Sequence, residues 1–186
     1  MRFLNIIAIL VIAYLPQMAQ ARPYQTDYAQ SHVKVSGTHT GKAFTAVFEK
    51  WEAVIDFDPA ALAQSSVSAH FYPETLKSGN KMYDGTIPAQ DWFNVKSFPE
   101  AQFQSTAITH KSGQTYQLSG DLTIRDITKP VSFDFVLSDL GASPVIATAA
   151  FDINRLDFDL GKGSDPAGEW VSKTMTIALK IIASPQ

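Results

Sequence analysis

Residues 116–137 read YQLSGDLTIRDITKPVSFDFVL. In this stretch Tyr116, Leu118, Gly120, Leu122 and Ile124 alternate with Gln117, Ser119, Asp121, Thr123 and Arg125. That two-residue period marks a strand with one buried face. Asp126-Ile127-Thr128-Lys129-Pro130 interrupts it, and proline, which has no backbone donor, predicts a turn there rather than a central ladder. Val131, Phe133, Phe135 and Leu137 then resume the alternation. Strands this close in sequence pair antiparallel, because a parallel return needs a crossover of about a dozen residues or more.

The same pattern spreads outward from this hairpin. Upstream, Ala101, Phe103, Ser105 and Ala107 start a strand, and Lys111-Ser112-Gly113-Gln114 turns it back. Val67, Ala69 and Phe71 mark another, after a turn at Asp58-Pro59 and one helical turn over Ala60 to Gln64. Phe44, Ala46 and Phe48 lie on even positions but Trp51, Ala53, Ile55 and Phe57 on odd ones. This change of parity predicts a bulge near Glu49-Lys50. Arg22 to Asp27 reads as a frayed lead, followed by a strand from about His32 to Thr40. Between Thr75 and Asp91 the period disappears, which predicts a mostly helical excursion able to cap one end of the sheet.

Downstream, Ser138 to Pro144 is a polar loop. Ala147, Ala149, Phe151 and Ile153 give way to Leu156, Phe158 and Leu160, a second parity change that predicts a bulge or bend at Asn154-Arg155. Gly161 to Gly168 is a loop, and Met175, Ile177, Leu179 and Ile181 mark the last strand. The tally is about eight strands joined mostly by short turns, an all-β arrangement that is either a sandwich or a barrel.

Residues 1–21 carry Arg2, an apolar run from Phe3 to Leu15 and the small-x-small sequence Ala19-Gln20-Ala21. This predicts a signal peptide cleaved after Ala21, a domain over 22–186 and a periplasmic address. The run is shorter than the roughly 20 residues of a membrane span. With no cysteine, the domain relies on burial and hydrogen bonding alone. Without Arg2, 14 of the 15 basic residues stand against 18 acidic ones, a balance of −4 that speaks against nucleic acid as a partner.

The hairpin also carries a resemblance. Gly120-Asp121-Leu122-Thr123-Ile124 followed by Thr128-Lys129-Pro130-Val131 resembles a hairpin of the YceI-like family, secreted bacterial β-barrels that bind polyisoprenoid lipids. Asp91-Trp92-Phe93, Phe98-Pro99 and the spaced Ala101, Phe103 and Ser105 resemble a second run of that family. The resemblance implies an elongated, eight-stranded, lipocalin-like antiparallel barrel with a short helical excursion. It also implies an isoprenoid lipid or quinone-like amphiphile inside.

Twelve Phe, six Tyr and three Trp would suit such a cavity, although a packed core shows the same alternation. On this reading the tunnel is lined by Phe44, Phe48, Trp51 and Ile55 from the first half, then Phe71, Trp92, Phe93 and Phe103. Leu122, Ile124, Phe133, Phe135, Phe151 and Phe158 complete it. His39, Asn80 and Arg155 are candidates for a polar mouth. A carrier of this kind needs no catalytic residue and no cofactor. Transient membrane contact suits it, as a monomer or a homodimer.

Two other readings come from other classes. Asp56 with Asp58, and Asp157 with Asp159, have the two-residue spacing that a paired-carboxylate hydrolase could use, if buried and close. A ligand-free periplasmic stress or interaction protein would have a barrel filled with side chains. Metal binding is not expected, since His32, His39, His70 and His110 lie on separate elements and in no ligand spacing.

Overall fold

The structure, a computed structural model, describes residues 20–138 and 140–186. The expected signal segment thus lies almost wholly outside the described residues. The strands are β1 (Arg22–Thr26), β2 (His32–His39), β3 (Lys42–Phe48), β4 (Trp51–Phe57), β5 (Ser66–Phe71) and β6 (Leu76–Lys77). After one helix, α1 (Lys81–Thr86), come β7 (Ala101–Ser112), β8 (Thr115–Ile124), β9 (Ile127–Ser138), β10 (Val145–Asn154) and β11 (Thr174–Pro185).

All pairings are antiparallel, and β1 closes the ring by pairing with both β4 and β11. The circuit β1-β4-β5-β7-β8-β9-β10-β11 is an eight-stranded closed barrel. β11 also pairs with β2 farther along its length, and β3 and β6 follow from there. The pairs β1/β2, β3/β4 and β5/β6 are therefore three staves of the barrel, each broken in the middle.

Each break has a local cause. After β1, the Asp27 carboxylate accepts the N–H groups of Ala29 and Gln30 and turns the chain. Tyr28 then lays its ring 4.9 Å from that of Trp51, and its hydroxyl accepts the Ala53 N–H at 3.0 Å. That donor on β4 would otherwise lack a partner, since β1 has ended. The second stave breaks at Glu49-Lys50, where the parity changes, and the Thr75 carbonyl and hydroxyl accept the two N–H groups there. The third breaks at the 3-10 turn Pro73–Thr75.

Three sequence expectations need correction. Arg22 to Thr26 is no frayed lead but the strand that closes the ring. The β8–β9 turn is only Arg125-Asp126, so Pro130 lies inside β9, opposite Asp121. Proline is tolerated there because β10 pairs with β9 only over Phe135–Ser138, which leaves the β10-facing side of β9 open at Pro130. Finally, the chain does bend at Asn154-Arg155, but no strand resumes beyond it: β10 ends, Asn154 caps the 3-10 turn Arg155–Phe158, and Leu156, Phe158 and Leu160 belong to no strand.

The excursion after β6 is less helical than expected, with six residues in α1 and turns thereafter. It shares one end of the barrel, here the upper end, with the β2–β3 turn, the β8–β9 turn and the long β10–β11 loop. The β4–β5 connection, the β7–β8 turn, the β9–β10 loop and the outer ends of β1 and β11 lie at the lower end.

Gly120 faces inward opposite Ser105, where the β7–β8 register shifts. A Cβ there would lie 2.5 Å from both the Gln104 carbonyl oxygen and the Phe103 ring. The absent side chain is what lets Phe103 fold across the middle of the barrel.

Candidate functional site

The barrel interior is packed at its waist and open above. Phe133 stacks on Phe151 with ring centroids 4.0 Å apart and planes 4° from parallel, and Phe103 leans on Phe133 at 6.1 Å. Above this belt lies an apolar cavity of about 120 Å³. Below it a smaller void of about 50 Å³ sits among Tyr24, Ile55, Phe57, Leu137 and Ile181. The upper cavity shares Phe44, Ile87 and Trp92 with a second space of about 220 Å³, which opens between α1 and the β10–β11 loop and forms a mouth.

The structure places the expected residues in three groups. Phe44, Phe48, Phe71, Trp92, Phe93, Leu122 and Ile124 stand on the wall of the upper cavity. Ile55 borders only the lower void. Trp51, Phe103, Phe133, Phe135, Phe151 and Phe158 line none of these spaces. Phe103, Phe133 and Phe151 form the belt, Trp51 packs under Tyr28, and Phe135 stacks on Tyr116 with centroids 5.5 Å apart. Phe158 is 2% exposed in the 3-10 turn. These six share their strands' or turn's apolar pattern with the wall residues, and that pattern does not tell a lining side chain from a packed one.

Of the polar candidates, His39 does border the mouth, with Nδ1 2.9 Å from the Tyr83 hydroxyl. Asn80 instead caps α1, its Oδ1 accepting the Met82 N–H at 2.9 Å. Arg155 touches the upper cavity but is 0% exposed, and its donors are committed elsewhere. Nη1 donates to the Leu160 carbonyl, Nη2 to the Val171 carbonyl and the Asp165 carboxylate, and Nε to the Ser172 carbonyl. This buried guanidinium holds the β10–β11 loop in its shape.

Asp91 and Trp92 join the excursion to that loop, while Phe93 stands on the cavity wall. The Asp91 carboxylate accepts the N–H groups of Gly163 and Ser164, each at 2.8 Å, and its carbonyl accepts the Gly161 N–H at 2.7 Å. Trp92 lies over the Arg155 guanidinium at 5.3 Å and against Gly161, whose φ of 67° and lack of a Cβ both suit the contact. Two segments far apart in sequence thus form one cover over the upper end.

Sequence reasoning missed Met82, Tyr83, Ile87, Trp170 and Val171, which all border the mouth. None belongs to a periodic run. The signal that was available is a tryptophan in a loop rich in Gly and Pro.

Neither pair of carboxylates is buried. Asp58 accepts the Ala60 N–H in its turn, Asp159 is ion-paired with Lys162, and Asp157 is exposed.

Two carboxylates in the cover depart from their ordinary acidity. Burial pushes Asp165 up, but the N–H groups of Val171, Glu169 and Trp170 and the charge of Arg155 outweigh it and hold its pKa low. At Asp91 burial is likewise outweighed, by bonds from Ser164 and Gly163 and by Arg125. A depressed carboxylate stabilises the fold above its unfolded pKa of about 3.9, and that stability is lost as the pH falls through the lower folded value. The melting temperature is therefore expected to fall steeply below about pH 4. Asp165→Asn should flatten that slope; an unchanged slope would remove Asp165 from the account.

A YceI-like domain model matches residues 24–183. The chain belongs to the YceI-like family. Among its curated relatives, a UPF0312 protein of Pseudomonas putida is 31% identical over 129 residues, covering 68% of this chain and 67% of the relative. One of Pseudomonas syringae pv. tomato is 27% identical over 168 residues, 85% and 86% of the two chains. The crystal structure of Burkholderia cenocepacia BcnA superimposes with a TM-score of 0.82 at 27% identity, over 86% of this chain and all of the other. A polyisoprenoid binding domain from Saccharophagus degradans has a TM-score of 0.68 over 88% of this chain and 98% of its own, at 12% identity, a likeness of fold. The Asp91-Trp92-Phe93 and Gly120-to-Val131 motifs that carry the YceI-like resemblance fall on the cover and on the β8–β9 hairpin, where Gly120 adjoins the Phe103 ring of the belt.

Proposed function

We propose that this protein is a non-catalytic carrier of an isoprenoid-type lipid, a polyprenol or a quinone tail, acting in the periplasm after removal of residues 1–21. The observation that carries this reading is the pair of adjoining spaces at the upper end, which share Phe44, Ile87 and Trp92 and of which the inner is lined almost entirely by apolar side chains. The polyisoprenoid-binding domain that shares the fold adds support. Each buried CH2 contributes roughly 0.8 kcal/mol, so a few isoprene units offset an association penalty of roughly 4–15 kcal/mol. Pockets for drug-sized ligands enclose roughly 300–1,000 Å³. The inner cavity is smaller than that, so it takes the end of a chain whose remainder occupies the mouth.

Native mass spectrometry of protein purified without detergent tests the proposal. The expected result is an apolar adduct, or one formed on adding geranylgeraniol. Val35→Trp, which fills the cavity from β2, should abolish it while the barrel still melts cooperatively. Absence of any adduct in the parent, with or without geranylgeraniol, would overturn the carrier reading. The intact mass of the periplasmic protein tests the address, and a mass retaining residues 1–21 would contradict it.

A further inference from the structure

Two of the most exposed large apolar side chains in the described structure stand at the same opening. Met82 on α1 is 62% exposed and Trp170 on the β10–β11 loop is 59% exposed, and both border the mouth. Their backbones are fixed. The Asn80 cap accepts the Met82 N–H, the Trp170 carbonyl accepts the Thr40 N–H at 2.6 Å, and Asp165 accepts the Val171 N–H at 2.9 Å. The indole is therefore held outward by a well-bonded loop, and water gains nothing from its presence there.

The charge around this rim differs from that of the chain as a whole. Lys42 follows the β2–β3 turn, Lys81 precedes Met82 and Lys173 follows the Trp170 loop; all three are exposed, and none forms an ion pair among the described residues. Glu169 is the exposed carboxylate beside Trp170. A protein with a net charge of −3 thus presents an excess of lysine around an apolar opening.

We propose that this rim is a docking surface for an anionic phospholipid bilayer, with Trp170 and Met82 entering the interface and Lys42, Lys81 and Lys173 meeting the headgroups. Tryptophan suits that position, with an apolar body and a polar N–H at the wet boundary. Docked in this way, the mouth faces the acyl layer, and an insoluble chain passes into the barrel without crossing water. The proposal rests on the carrier reading only in that last step.

The test is partitioning onto vesicles of phosphatidylcholine with and without phosphatidylglycerol. Parent and variants carry the same N-terminus, so any contribution from residues 1–21 is common to all. The parent should bind, more tightly with phosphatidylglycerol, and lipids brominated on their acyl chains should quench its tryptophan emission. Combining Trp170→Ser with Met82→Ser should weaken partitioning at least about tenfold, as for one large apolar side chain withdrawn from burial. Lys42→Ser, Lys81→Ser or Lys173→Ser should weaken it about fivefold each, on the anionic vesicles only. Val54→Ser, at an exposed position on β4, should change nothing.

A parent that ignores both vesicles, or a double variant that partitions like the parent, would overturn the proposal and leave the rim to a protein partner. Geranylgeraniol binding measured on the same samples keeps the two readings apart. Binding of the alcohol without vesicles removes the docking surface alone, and vesicle binding without the alcohol removes the cargo alone.

Discussion

Arg155→Leu is expected to destabilise the protein by about 3–5 kcal/mol, the usual consequence of breaking a buried ion pair by deleting one partner. The leucine would leave the Asp165 carboxylate, 5% exposed, without its counter-charge. It would also leave the carbonyls of Leu160, Val171 and Ser172 without the donors they now have. Arg155→Lys should recover only part of the loss, because one ammonium cannot reach sites that a planar fork serves from several sides. The damage should be local before it is global. Amide exchange should quicken first over residues 160–172, and the Trp92 contact should loosen with it. Urea unfolding with an unchanged m-value measures the effect, and a loss below about 1 kcal/mol would show that water replaces the guanidinium.

Phe133 gives the second large effect, with two variants pulling in different directions. Phe133→Ala removes the ring that stacks on Phe151 and meets Phe103, and should destabilise by about 3–5 kcal/mol. It also opens the belt, so that the spaces above and below become one and longer isoprenoid alcohols gain affinity over shorter ones. Phe133→Trp overpacks the same place at about 1–3 kcal/mol and leaves chain-length preference as it was. Thermal unfolding beside a series of prenyl alcohols checks both. A tryptophan variant with full stability but no lipid would place Phe133 on the cavity wall instead.

Much of the barrel is legible in the alternation of its strands, because a curled sheet with one wet face imposes a two-residue period on every stave. The hairpin from Tyr116 to Leu137 shows both the strength and the limit of that signal. Its strands and their pairing follow from the period, but the place of Pro130 depends on how far β10 runs alongside, a fact of the neighbouring strand. Arg22 to Thr26 offers no alternation, and its pairing with β4 and β11 depends on residues far along the chain.

The candidate site divides in the same way. Phe44, Phe48 and Leu122 on the cavity wall come from periodic strands and could be named, although the same criterion also named Phe103, Phe133 and Phe158, which are packed. Of the mouth only His39 was named, because Tyr83, His39 and Trp170 come together from α1, the end of β2 and the β10–β11 loop. Arg155 was named as a polar-mouth candidate at a parity change, but its burial could not be read, because it depends on carbonyls that the folded loop presents as acceptors. The resemblance supplied what periodicity could not, by marking Asp91 and Trp92, which join two distant segments, and Phe93 on the cavity wall.

The double partnership of β11, with β1 at one end and β2 at the other, also governs the order in which the protein can fold. Hairpins β7–β8, β8–β9 and β10–β11 need only neighbouring sequence and can form early. Tyr24 must find Pro185 and Val33 must find Leu179, so the seam between the β1/β2 stave and β11 cannot close until the last strand exists. Contacts this remote slow folding, because chain entropy is lost before they give anything back. While that seam is open, the edge of β1 and β2 stays free to pair with another chain. The waiting interval, more than the finished barrel, is when this protein is most exposed to aggregation, and it ends with the arrival of Thr174–Pro185.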